Sequence, residues 1–184
     1  MSFDKKTERH ISSPPNAIRL IEEEQAQLLT LCDSLEKIAD ELPYKLERGR
    51  LRPDAPTIVA RQLRHRLPRL HRHIEQLLFP MLKKRALPED CVEEIIAGFT
   101  HEHAMDDGYA LGVLEVLNEL SLDRRLPGLR AINDEAAGYL LRGFFEALRR
   151  HLRWQHFIVL RLARQRLTDK DLAKLARQIS IDGS

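Results

Sequence analysis

His71-Arg72-His73-Ile74-Glu75-Gln76-Leu77-Leu78-Phe79-Pro80 is the stretch on which the reading of this chain turns. It sets a histidine and a glutamate four residues apart, so on a helix both side chains rise from nearly the same face. Leu67, Ile74, Leu78 and Leu82 share that face, which is therefore the apolar one. Burying an ionisable pair is costly unless something compensates it, and a metal ion is one such compensation. What matters next is whether other helices aim matching groups at His71 and Glu75.

Upstream, Ile18, Ile21, Gln25, Leu28, Cys32, Leu35, Ala39 and Leu42 recur at steps of three and four. They predict a first helix over 16–42, with Asn16 as its N-cap and a loose arm over 1–15. A loop with Pro43, Gly49, Pro53 and Pro56 leads into a second helix over 56–86. Leu63, Leu67, Leu70, Ile74, Leu78 and Leu82 face inward on it. Pro68 and Pro80 take donors from the carbonyls of Arg64 and Gln76, predicting bends on either side of the His71/Glu75 pair. Leu87–Asp90 turns the chain, and its acids suit the first turn of a third helix. That helix turns Val92, Ile96, Phe99, His103, Asp106, Ala110, Val113 and Leu117 inward. After a turn over Asp123–Gly128, a fourth helix carries Ala137, Leu140, Phe144, Leu148, His151, Gln155, Ile158 and Leu162 on one face. Thr168-Asp-Lys-Asp171 opens a short last helix through a capping-box pattern. Four long helices with short connections predict an all-α, antiparallel up-down four-helix bundle over 16–184, closed by a short C-terminal helix.

The 184 residues hold 30 basic and 28 acidic side chains, a net charge of +2. The arginines of 61–72 and 142–153 alternate with apolar and histidine positions and read as solvated helix faces, which argues against a nucleic-acid partner. No signal-like N-terminus or membrane-length apolar run is present, so no membrane is expected. Cys32 and Cys91 form no CxxC pair and no disulfide framework, which fits the reducing cytoplasm. With no nucleophile–base pair and no phosphate loop, nothing marks the chain as an enzyme.

All four long helices place polar residues mid-way along their apolar seams: Gln25 on the first, His71 and Glu75 on the second, His103 and Asp106 on the third, His151 and Gln155 on the fourth. In an antiparallel bundle such positions meet at one depth, and ligands projected from facing helices are how bundles build metal sites. One inward histidine is an ordinary hydrogen-bonded core residue; three with a carboxylate call for a cation, or for Glu75 to pair with a protonated histidine. Asp107 also lies within reach. His65, His73, His101 and His156 fall off the seam and read as flank residues.

These residues resemble the hemerythrin-like (HHE cation-binding) family over about residues 17–180. The resemblance rests on His71-x-x-x-Glu75 running into Leu78-Phe79-Pro80, on Glu102-His103, and on His151-x-x-x-Gln155 followed by Leu162-Ala-Arg-Gln-Arg-Leu167-Thr. It implies a hemerythrin-like bundle in which two irons are held by histidines and bridging carboxylates, with roles in oxygen, nitric oxide or iron handling and a small diatomic ligand. Carried over by position, His71, Glu75, His103 and His151 are the implied metal ligands. The chain departs from the pattern at Glu24-Gln25, where the family has Glu-His, at Gln155, where it has a glutamate, and at Arg161, where it has a proline. Gln25, Gln155, Asp106 and Glu24 thus hold supporting or substituted positions. With Glu75 the one family carboxylate left, charge balance favours one ion over two, iron or zinc. Also open is a bundle without metal, its glutamines bonding the histidines. Such a chain would act as an interaction module, or as a homodimer through the stripe Leu141, Phe145, Leu148, Leu152 and Val159. The Glu-x-x-His spacing of ferritin-like oxidases is missing from the seams.

Overall fold

A computed structural model describes residues 16–42, 54–121 and 133–182. The arm over 1–15, the loop from Pro43 to Pro53 and the turn over Asp123–Gly128 lie outside the described residues. Within them the chain is an all-helical bundle without strands.

Helix α1 is Ala17–Glu41, opened by Asn16, whose side chain accepts from the Ile18 N–H at 3.0 Å. Helix α2, Ala55–Arg72, passes through a π-turn, His73–Leu78, into α3, Phe79–Arg85. A 3₁₀ turn at Pro88–Asp90 leads to α4, Val92–Ser121. Helix α5, Asp134–Gln155, meets a second π-turn, His156–Leu160, before α6, Arg161–Arg166, and α7, Asp169–Asp182, closes the described chain. Pro68 sits inside α2 without ending it, so the irregularity falls between the two prolines, in the π-turn that runs up to Phe79-Pro80. The second π-turn has no proline near it.

The side-chain pairs fix the packing. Arg66 with Gln27 and His73 with Glu24 run α2 antiparallel to α1. Thr57 with Ser121 and His103 with Glu75 run α4 antiparallel to α2. Arg142 with Asp40, Arg149 with Glu36 and Gln25 with Gln155 do the same for α5 and α1. Tyr109 stacks edge-on to Phe144 between α4 and α5, its hydroxyl lying over Gly143, where an added Cβ would stand 2.2 Å away and make the tyrosine shift. Each helix thus buries its apolar stripe against two neighbours.

Leu141, Phe145, Leu148, Leu152 and Val159 are all buried, and α1 is the helix that packs most extensively on α5. That stripe offers no free face for a second copy. Helix α7 starts on the reciprocal Thr168/Asp171 capping box and lays Leu175, Ala176 and Ile179 against α1 and the first π-turn.

Candidate metal centre

The seam polar residues meet at one depth. His71 from α2, His103 and Asp106 from α4, His151 and Gln155 from α5 and Gln25 from α1 are all buried. The rings of His71 and His103 stack with centroids 4.1 Å apart, those of His103 and His151 at 5.0 Å. Phe99 and Phe79 wall the cluster, Phe99 edge-on to His151 at 5.6 Å.

Each imidazole has a carboxylate beside it, hydrogen-bonded for His71 and His103 only. Asp107 lies 3.0 Å from His71 Nδ1, Glu75 lies 2.7 Å from His103 Nδ1, and Asp106 Oδ2 lies 3.0 Å from His151 Nδ1. Glu75 therefore stands behind His103, its side chain 35% exposed, and does not share the inward face with His71. The π-turn explains this: it begins at His73, between the two residues, and alters the regular four-residue relation of an α-helix. Gln155, fully buried, occupies the middle. Its amide nitrogen is 3.0 Å from His103 Nε2 and 3.3 Å from His151 Nε2, and its oxygen accepts from Gln25 Nε2 at 2.7 Å. One amide thus donates to two imidazoles, and those bonds fix Nε2 of both rings as acceptors.

Three of the cluster's buried atoms are left without a hydrogen-bond partner, half of the six such side-chain atoms among the described residues: His71 Nε2, Asp106 Oδ2 and His151 Nδ1. The Asp106 oxygen is near both nitrogens, 3.0 Å from His151 Nδ1 and 4.0 Å from His71 Nε2, but aligned with neither for a hydrogen bond. Buried polar atoms are normally satisfied, so three orphans from three helices in one layer ask for an explanation. In donor chemistry the set, two imidazoles and a carboxylate, suits a transition-metal ion. In geometry it falls short: among the described residues, no group of three or more His, Cys, Asp or Glu side chains is placed to hold a metal ion.

Burial keeps His71 and His103 neutral. It pushes His71 down to about 2, helped by the neighbouring His103 and His151, and His103 down to about 3, helped by His151 and opposed by Asp106. Neutral imidazole is the form that ligates a metal. Burial also raises Glu75, and it raises Asp107, where Asp106 and Glu75 add their charge. Cys32, buried on α1, is pushed up to about 12 by burial and stays a thiol.

Glu24 lies apart from this cluster. It joins Arg69 at 2.9 Å and His73 Nδ1 at 2.8 Å, while His73 Nε2 meets Asp182 of α7 at 3.0 Å. His73 is only 1% exposed, not a flank residue: α7 covers the side of α2 that helical geometry points away from the seam. The signal available in the sequence was the apolar face of α7, which needed a surface to land on. Asp107, four residues after His103, is the other acid that geometry brings in; His65 and His101 are exposed as expected. A groove of about 330 Å³ between α4 and α5, lined by Ile95, Phe99, Trp154 and Ile158, reaches His151 from solvent.

Comparison with family models, curated proteins and solved structures finds no match to this chain.

Proposed function

We propose that the protein is a hemerythrin-like four-helix bundle that holds one cation, iron or zinc, in its central polar layer. The observation that carries this reading is the orphaned trio of His71 Nε2, His151 Nδ1 and Asp106 Oδ2, which a single ion would satisfy once His151 gives up its 3.3 Å contact with Gln155 and moves its proton to Nε2. His103 stands beside them, engaged by Glu75 and Gln155. Three carboxylates near the rings, Asp106, Asp107 and Glu75, supply more compensating charge than Glu75 alone. Carboxylates behind ligating histidines also fix tautomer and ring orientation, the work Asp107 does for His71. A bound iron would add redox and diatomic-ligand chemistry, a zinc Lewis acidity alone. The chain's own residues keep His71 and His103 neutral and wall the rings with Phe99 and Phe79. A reducing cytoplasm suits the two free thiols, Cys32 and Cys91.

A second reading has its own support. Gln155 fills the centre of the layer with hydrogen bonds to three neighbours, as it would in a metal-free polar core serving a scaffold or interaction module. Elemental analysis separates the two. Protein purified without chelator and offered iron(II) or zinc should carry about one equivalent, lost in His71→Ala and His151→Ala. Wild type that takes up neither metal leaves the layer as a hydrogen-bonded core.

A further inference from the structure

The arginines of 61–72 gather on one groove. Arg61, His65, Arg69 and Arg72 follow at steps of four, four and three along α2, with Arg66 beside them and Gln27 of α1 on the opposite wall. The row spans about 16 Å of helix at 1.5 Å per residue. The open groove has a volume of about 630 Å³, and no acidic or aliphatic side chain lines it; the His65 imidazole is its one aromatic ring. We propose that this groove binds a compact ligand carrying two or more linked phosphate groups.

Charge supports this first. Arg69 pairs with Glu24 and Arg72 with Asp182, but both acids are shared with His73. Arg66 meets only the Gln27 amide, and among the described residues neither Arg61 nor Arg66 has a carboxylate within ion-pair distance. Like charges held side by side repel one another, and a bound anion relieves that. Chemistry narrows the class. Guanidinium forks match phosphate oxygens two at a time. With no Phe, Tyr or Trp in the lining, base stacking would fall to the His65 ring and the arginine guanidiniums, and no Leu, Ile, Val or Met there forms an apolar pocket for a peptide side chain. The volume is that of a small-molecule site. The metal reading plays no part in this inference.

Calorimetric titration of the full chain with sodium tripolyphosphate, in buffer free of phosphate, tests it. One tripolyphosphate per chain is expected, weakened about tenfold or more in Arg61→Gln/Arg66→Gln through loss of charge-assisted bonds. Lys174→Gln/Arg177→Gln removes the same charge from the exposed face of α7 and should change affinity less than about twofold, the size of a screened long-range effect. ATP binding as tightly as tripolyphosphate assigns recognition to the phosphate chain alone; tighter ATP binding assigns the site to a nucleotide. No binding by wild type overturns the proposal, as does equal weakening in the two double variants. A short thymidine oligonucleotide binding more tightly than tripolyphosphate would also overturn it, giving the groove to a nucleic-acid backbone.

Discussion

His71-x-x-x-Glu75 on α2 and His151-x-x-x-Gln155 on α5 share one spacing, and each runs into a π-turn, yet their fourth residues end in different places. On α5 the turn starts at His156, after the pair, so Gln155 keeps the regular helical relation and lies 3.3 Å from its own histidine. On α2 the turn starts at His73, inside the pair, and Glu75 reaches across to His103 from a half-exposed position. A neutral amide tolerates complete burial when its donors and acceptor are all used, whereas a carboxylate there carries a desolvation penalty. The fully buried place goes to the amide and the wetter one to the acid.

Acid is the harshest test of the α2 side. His71 and His103 are held near 2 and 3 when folded and take protons near 6.5 when unfolded. Between those values the unfolded chain binds more protons, so stability is full above pH 6.5 and falls as pH drops. For the metal-free protein the loss should approach about 1.4 kcal/mol per pH unit for each ring, or about 5 kcal/mol between pH 6.5 and 4.5 for both. Urea unfolding at a series of pH values reads it, and His71→Phe should lose about half the slope. An unchanged slope would mean that His71 takes up a proton in the folded state.

Gln155→Leu is the next largest effect. It leaves Nε2 of His103 and His151 and the Gln25 amide without partners, at a cost of about 3 kcal/mol in chemical denaturation. Glu75→Gln keeps a hydrogen-bond acceptor at a half-exposed site and should cost about 1 kcal/mol or less. Equal losses for the two variants would break the distinction between a buried hub and a peripheral brace.

Much of the helix plan was legible because burial follows the three-and-four period of the seams. Residues from Ile18 to Leu42, Leu63 to Leu82 and Ile96 to Leu117 are buried where that period puts them. Asn16 and Thr168 were legible as caps because their side chains bond a backbone N–H two or three residues on. The polar layer was legible for Gln25, His71, His103, Asp106, His151 and Gln155, which interrupt apolar stripes and are buried, but not for Glu75, which the π-turn takes out to a half-exposed place. The layer's wiring was not legible. The burial of His73 depends on α7 arriving from more than a hundred residues away, and the work of Asp107 on the direction of a ring on another helix.

By itself the sequence determined where the long helices run and most of the polar side chains they carry into the core, Glu75 and His73 being the exceptions, because both follow from local period and composition. The tertiary structure alone decided which nitrogen of each histidine faces which carboxylate, and that His71, His151 and Asp106 keep three atoms unpaired. It also decided that four arginines spaced along one helix share a groove with α1. Helix rotation and the placement of two π-turns set these outcomes, through packing between segments that local periodicity does not relate.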